Sequence, residues 1–432
     1  MRPIGSSEVL VGRTLSSIFY TMIPFINVRA QREAYKSEFL QAEQQVLDSG
    51  CFIGGPVVQA LESELADFCN SGKDSAEPET RAITCASGTD ALTIALMAFG
   101  LEPEDEVIVP DFTFIAPAEC VMRMGGVPVF ADIDPETLQV SAESIKARVS
   151  EKTRGIIAVN LFGQCALYQE IRRIAKAHGL WLIEDAAQAF GALQNGKAAC
   201  TFGDISITSF YPAKPLGCYG DGGAIFTSDA KLAEKVRMFA NHGSQTRYIH
   251  EICGMNSRLD AIQAAVLRVK LRHFKDELKM RQENARKYDE FFAEYNGRIA
   301  AGAGISGASA GAKIVPQKIA DGNTSTYAQY TVLADDRDAF IAKLDAAGIP
   351  HCIHYPMPLH EQPCFAKYQT DYIAGALYGP PGIINTLPPN IVDELLENTN
   401  IHADRAAEHV VSLPMCAFTD VEEIIARLKK VM

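Results

Sequence analysis

Lys214 stands in SFYPAKPLGCYGDGG, between Pro212 and Pro215 and ahead of Gly217, Gly220, Gly222 and Gly223. Prolines and glycines at this density build a rigid, irregular loop rather than a solvated helix. An ammonium desolvated there gives up its proton readily, and the free amine is a nucleophile for carbonyl carbon. Taken alone, Lys214 is also compatible with an ordinary surface charge. Upstream, WLIEDAAQ delivers Asp185 and then Gln188, a carboxylate and an amide emerging together, and ISITS ends on Ser209. Ser87, Gly88 and Thr89 precede the helical run DALTIALMAFG, so their hydroxyls and N–H groups face out at a positive helix end that suits a phosphate. The same residues also make an ordinary N-cap. In DFTFIAPAE, Phe112 or Phe114 offers a ring to stack on a flat ligand or to fill the core. One cofactor needs all these parts together: pyridoxal 5'-phosphate takes a lysine for its aldehyde, an anion for its pyridine nitrogen, a phosphate cup and an aromatic face. Asp185 is the natural anion.

The elements around these residues point to one architecture. Between about residues 80 and 230 the β-branched runs AITC, VIVP, PVFA, GIIAV, WLIE, ISIT and GAIFT alternate with helical stretches such as ALYQEIRRIAKAHG. That alternation predicts an α/β fold with a seven-stranded, mostly parallel, buried sheet. Open sheets of this kind hold ligands at the C-terminal ends of their strands, where the candidate residues fall. After Ser257 a long helix runs through about Phe292, followed by the small-residue stretch AAGAGISGASAGAK, which has the composition of a flexible excursion. A smaller α/β domain follows, with strand-like YAQYTVL, helical RDAFIAKLDAAG, strand-like HCIHYP and a closing helix in DVEEIIARLKKVM. We therefore expect an N-terminal extension over 1–21, a large cofactor-binding domain over 22–270 and a small C-terminal domain over 271–432. The region 369–400, rich in Pro, Gly and Asn, reads as a loop or insertion. Residues 1–21 lack a continuous apolar core for a signal peptide and read as an upstream extension, with a transit peptide as the alternative.

Composition excludes several classes. The 432 residues are 47% hydrophobic and 22% charged, with no apolar stretch near membrane-spanning length, so the chain reads as globular. A net charge of -13 without a Lys/Arg cluster argues against nucleic acid. The 11 cysteines contain no C-x-x-C pair and read as free thiols of a reducing cytoplasm. Two motifs are decoys. His351 and His354 form H-x-x-H, but in an extended, Pro-flanked segment an odd separation sends the rings to opposite faces, so no metal site is expected. Gly302, Gly304 and Gly307 match G-x-G-x-x-G with Asp321 beyond, yet no strand runs into the first glycine and Pro316 interrupts any following helix.

SFYPAKPLGCYGDGGAIFT, together with CASGTDAL, EDAAQAFGA, NSRLDAIQAAVL and HYPMPLHEQP, resembles the DegT-type sugar-nucleotide aminotransferases, a fold-type I pyridoxal phosphate family. The likeness runs from about Met22 to the C-terminus. It implies that Lys214 links covalently to the cofactor, Asp185 pairs with the pyridine nitrogen and Gln188 lies near the ring hydroxyl. It further implies that Gly88, Thr89 and Ser209 hold the phosphate, that Phe114 stacks on the ring, and that Asn256 reaches the phosphate of a neighbouring subunit. The active unit implied is a homodimer with shared sites. On spacing alone Asn256 and Arg258 also fit a helix N-terminus with a surface arginine. Within the family the wording is most similar to the aminotransferases acting on UDP-2-acetamido-2-deoxy-3-oxo-glucuronate, which serve bacterial surface polysaccharide (O-antigen) synthesis. That likeness places Gly50, Phe52, Arg258, His354 and Tyr355 around the UDP-sugar. Phe52 stands where the family usually has Tyr, and Ala213 where it has Ser. The stretches near 70–80, 301–313 and 369–400 are longer than the family's compact form.

The implied reaction is ping-pong: glutamate gives its amino group to the cofactor and leaves as 2-oxoglutarate, then the amino group passes to the sugar C3 ketone, with Lys214 moving the proton in each half. Three rivals remain at this stage: an aminotransferase for another keto-sugar nucleotide, such as a dTDP- or UDP-4-keto-6-deoxy sugar; a sugar dehydratase of the kind that carries His in place of the lysine; and a non-catalytic cofactor-binding protein on the same fold. The lysine itself argues against the dehydratase, and the presence of every catalytic residue type argues against the idle binder.

Overall fold

A computed structural model describes residues 23–72, 78–300, 312–366 and 401–432. The N-terminal extension, the glycines of the G-x-G-x-x-G match and all of the 369–400 region lie outside these residues. The strands are β1 (Arg81–Cys85), β2 (Glu106–Pro110), β3 (Val127–Ala131), β4 (Thr153–Val159), β5 (Trp181–Asp185), the two-residue β6 (Leu193–Gln194) and β7 (Lys197–Ala198), β8 (Ile205–Ser209), β9 (Gly223–Thr227), β10 (Ile314–Pro316), β11 (Asn323–Thr324), β12 (Tyr330–Ala334) and β13 (Val410–Leu413).

All seven expected strands of the main sheet form, in the order β1-β9-β8-β5-β4-β2-β3. Only β9 is antiparallel to its neighbours. The unbroken apolar runs are explained by burial on both faces. Ile108, Ile156 and Leu182 point into one core, and their neighbours Val107, Val109, Ile157 and Ile183 into the other. Helices Gly88–Phe99, Ala116–Arg123 and Ala230–Ala240 cover the second face.

The helix expected to end near Phe292 runs on, as a continuous 40-residue element, Ala261–Ala300. Its first half joins the large-sheet core through Ala264, Leu267 and Phe274. Its second half presents Tyr288, Phe292 and Tyr295 to a third core formed with β10, β12 and β13 and the helices Arg337–Ala346 and Val421–Val431. None of the described helices is long and apolar enough to cross a membrane.

One local expectation fails. HCIHYP forms no strand; only Cys352 pairs, in an isolated antiparallel bridge with Ser412. Pro350, Pro356 and Pro358 lack the N–H groups a longer ladder needs, which confines pairing to the middle of the segment.

Register fixes where chemistry can sit. Cys85 and Ser209 both pair with Gly223, and Val159 pairs with Asp185. The ends of β1, β4, β5 and β8 and the start of β9 therefore share one edge of the sheet.

Candidate active site at the sheet edge

Ser87 caps the helix Gly88–Phe99, its Oγ accepting the Asp90 N–H at 3.0 Å, so the helix begins two residues earlier than the hydrophobic pattern indicates. A Cβ on Gly88 would lie 2.7 Å from the Ser209 Cβ, and one on Gly223 would lie 2.5 Å from the Ser87 carbonyl. Backbone packs so closely here that the helix N-terminus, Thr89 and Ser209 close into one cup. A helix N-terminus with the hydroxyl-bearing Thr89 and Ser209 beside it suits a phosphate.

Asp185 ends β5 as a buried carboxylate. Its Oδ1 accepts the Ala187 N–H at 2.9 Å, and no further hydrogen bond reaches it among the described residues. Burial pushes its pKa up to about 6, against the Ala187 N–H and the positive charge of Lys214, which both pull it down. Lys214 is set by the loop between β8 and β9. Phe210 N–H donates to Gly222 O at 2.8 Å, Cys218 N–H to Phe210 O at 2.7 Å, and Lys214 N–H to Tyr211 O at 2.8 Å. A Cβ on Gly217 would sit 2.6 Å from the Tyr211 carbonyl oxygen, so the turn tolerates no side chain there. The Lys214 side chain keeps part of its surface open, but crowding protein atoms lower its pKa while Asp185 raises it. The amine and the carboxylate are thus near enough to feel each other's charge, and burial weakens the ordinary charge state of each.

Gln188 lies behind them, buried. Its Oε1 accepts the Phe162 N–H at 2.6 Å and its Nε2 donates to Tyr355 Oη at 3.2 Å. Thr326 Oγ1 donates to the Gln188 carbonyl at 3.0 Å, a support that nothing in the sequence pattern announced. Burial separates the two phenylalanines: Phe112 is 1% exposed and belongs to the core, whereas Phe114 is 53% exposed and lies 6.3 Å from the Tyr355 ring. His354 is held by Ser412, Nδ1 to Oγ at 3.0 Å. Burial first, and then the Lys214 charge, push its pKa down to about 4, so it is neutral at ordinary pH. His351 has other neighbours, the Ile349 carbonyl and Asp345, and does not converge with His354. The HYPMPLHEQP segment is braced elsewhere by His360, whose Nδ1 lies 2.6 Å from Oδ2 of the fully buried Asp111.

Asn256, Arg258, Gly50 and Phe52 are not gathered into this cluster within one chain. Along 255–260, Ser257 and Leu259 turn inward while Asn256, Arg258 and Asp260 point out. Ser257 Oγ accepts the Ala86 N–H at 3.1 Å, and Ala261 N–H donates to Phe52 O at 2.9 Å, so these residues share one outer surface beside β1. Gly50 closes the helix Lys36–Ser49 in a left-handed conformation, φ 64°. Phe52 is 47% exposed. A cleft of about 1000 Å³ shares no residue with the site; its Asp204 precedes β8 and its Ser228 follows β9, which puts it at the opposite sheet edge.

These features fit pyridoxal phosphate: a phosphate cup, a buried carboxylate with an unengaged oxygen for a pyridinium N–H, an exposed ring and a lysine that is easily deprotonated. Comparison with known proteins agrees. The profile of the DegT/DnrJ/EryC1/StrS aminotransferase family matches residues 33–379. A UDP-2-acetamido-2-deoxy-3-oxo-D-glucuronate aminotransferase of Pseudomonas aeruginosa is 40% identical over 403 residues, covering 93% of this chain and 98% of that protein. A UDP-N-acetyl-3-dehydro-alpha-D-glucosamine 3-aminotransferase of Acidithiobacillus ferrooxidans is 36% identical over 413 residues, 95% of this chain and 97% of that one. Among solved structures, a DegT/DnrJ/EryC1/StrS aminotransferase from Brucella abortus superposes with a TM-score of 0.80 at 35% identity, covering 94% of this chain and 99% of that one. NtdA from Bacillus subtilis, solved with bound cofactor PMP, superposes at 0.75 and 27% identity, over 95% of this chain and 85% of that one.

Proposed function

Because the chain belongs to the DegT/DnrJ/EryC1/StrS aminotransferase family, a family of pyridoxal phosphate enzymes, we propose that it moves an amino group from glutamate to the C3 ketone of UDP-2-acetamido-2-deoxy-3-oxo-glucuronate. The observation that carries the reading is the convergence at one sheet edge of Lys214 and Asp185, coupled through their charges, with a cup that only glycine at 88 and 223 permits. In this reading Gly88, Thr89 and Ser209 hold the phosphate, Asp185 the pyridine nitrogen and Phe114 the ring face, with Gln188 beside the ring hydroxyl.

Bound there, the pyridine ring supplies a sink for the electrons released when a substrate C–H bond breaks. The residues do the rest. Burial weakens the hold of Lys214 on its proton, so its Nζ is suited to accept the proton from substrate carbon and return it on the other half of the cycle. Asp185, ionised beside a cation, holds the pyridine nitrogen protonated; the same cation favours its charged form over the neutral one that burial promotes. Tyr355 and His354 close the cleft from the segment after β12, and Arg258, with Gly50 and Phe52, contributes the sugar pocket of a neighbouring subunit, where Asn256 meets the phosphate. Phe52 lacks the hydroxyl usual at its position, so one polar contact of the family's pocket is missing there.

Several finer readings travel with this one: the homodimer with shared sites, a cytoplasmic location, a role in surface-polysaccharide synthesis, and a division into 22–270 and 271–432 joined through the helix Ala261–Ala300. The test is direct. Protein loaded with pyridoxamine phosphate is mixed with a panel of keto-sugar nucleotides, and released amino sugars are weighed by mass spectrometry. Turnover of the 3-oxo-uronate ahead of neutral 3-oxo and 4-keto-6-deoxy sugars is the expected result; preference for a neutral sugar sinks the assignment.

A further inference from the structure

We infer that Ser412, backed by Thr331, is a positioning residue that holds the His354 imidazole with its proton on Nε2 and so presents a fixed N–H donor to an acceptor oxygen of the sugar nucleotide. The inference deepens the proposed function and rests on His354 lining the sugar pocket.

A short hydroxyl relay runs from the small sheet to the cleft: Thr331 Oγ1 lies 3.0 Å from Ser412 Oγ, and Ser412 Oγ lies 3.0 Å from His354 Nδ1. Thr331 is 2% exposed and Ser412 0%, so neither hydroxyl is open to bulk solvent. Each hydroxyl has one proton to give. Were His354 to donate from Nδ1, Ser412 would have to donate to Thr331, and the Thr331 proton would find no acceptor among the described residues, a buried orphan donor. In the reverse order Thr331 donates to Ser412, Ser412 donates to Nδ1, and every proton is used. Nδ1 is therefore the acceptor and a neutral ring carries its hydrogen on Nε2, the nitrogen turned away from Ser412.

The relay is also fixed at its base. Ser412 N–H donates to Cys352 O at 2.8 Å and Cys352 N–H donates to Ser412 O at 3.1 Å, which pins the strand to the chain two residues before His354. The ring is further confined by Tyr355 at 5.8 Å and Phe25 at 6.0 Å. A neutral donor does not compete for a carboxylate, which needs a guanidinium; it suits a hydroxyl or carbonyl oxygen of the sugar.

Long-range ¹H–¹⁵N spectra of the histidine-labelled holoenzyme read the tautomer without substrate, with His354 assigned by the signal missing in His354→Gln. The expected result is a protonated Nε2 and an acceptor-type Nδ1. Ser412→Ala should mix the tautomers and raise the KM for the sugar nucleotide about tenfold while leaving the glutamate half-reaction unchanged, and Ser412→Thr should restore both. Ser412→Cys, nearly isosteric but a weaker donor, should move the same way by less, and serves if the alanine variant fails to fold. A proton on Nδ1 in the wild type overturns the inference. So does a Ser412 variant that slows the two half-reactions equally, as a merely structural role would. A wild type that aminates no sugar nucleotide refutes the substrate reading instead, and is seen before any Ser412 variant is made.

Discussion

The Gln188 amide and the Tyr355 hydroxyl meet at 3.2 Å across the seam between the large sheet and the segment that follows β12. Because the Gln188 oxygen is already committed to the Phe162 N–H, the amide cannot flip, and Tyr355 must accept. The phenol therefore keeps its own proton for a group in the cleft.

Tyr355→Phe should leave the Gln188 Nε2 without an acceptor in a site where Gln188 is 3% exposed. A stranded buried donor costs about 1–3 kcal/mol. Chemical denaturation should show that loss with an unchanged denaturant slope.

Lys214→Ala should bind the cofactor without a covalent link and lose the proton transfer worth about 10²–10⁴-fold in rate. In the wild type, borohydride reduction followed by peptide mapping should mark Lys214. Labelling of another lysine would overturn the assignment.

Asp185→Asn separates stability from function. Folding lifts the Asp185 pKa from 3.8 to about 6, so the folded state binds the proton more tightly than the unfolded chain. Stability therefore falls as pH rises between those values, and above about 6 the whole penalty, roughly 3 kcal/mol, is in force. Cofactor-free Asp185→Asn protein should melt higher than wild type at pH 8, with the gap closing below about pH 4, while its amino-transfer rate drops. A variant that melts lower at pH 8 would mean that the carboxylate is not strained by burial.

Arg258→Ala should raise the KM for a uronate far more than for a neutral 3-oxo sugar. Loss of a bidentate partner to a desolvated carboxylate costs roughly 2–5 kcal/mol. Equal effects on both sugars would leave Arg258 as an exposed side chain with no part in recognition.

Mixing Lys214→Ala with the Asn256→Ala, Arg258→Ala double variant tests the shared site. In a mixed dimer one site inherits both defects and the other none. Random exchange makes about half the dimers mixed, so about a quarter of wild-type activity should return. Each parent must be inactive and exchange must be demonstrated. Tag-purified mixed dimers with no activity would show that each site is built within one chain.

What the sequence disclosed follows a physical division. The strands of the main sheet are legible because burial on both faces leaves apolar runs such as IIAV and VIV, and the lysine loop because prolines and glycines mark it. HCIHYP alternates like a strand, yet its flanking prolines strip the donors from either side of Cys352, and periodicity does not weigh that. Ser412 carried only a faint signal, one hydroxyl inside the apolar run VVSL, because what gives it meaning is a side chain 58 residues away. Hydrophobic patterning places the helix start two residues late because Gly88 and Thr89 are poor helix formers that only the cup requires.

The antiparallel direction of β9 has a bearing on the order in which the site assembles. Since Ser209 and Gly223 pair directly, the lysine loop is the bend of a hairpin, and its ends are brought together by contacts between near neighbours in the chain. The phosphate cup instead waits for Cys85 to find Gly223 from far upstream, a closure of much longer loop entropy. Lys214 is thus seated early in folding, and hydrogen exchange caught during refolding should protect Phe210 and Cys218 before the amides of β1.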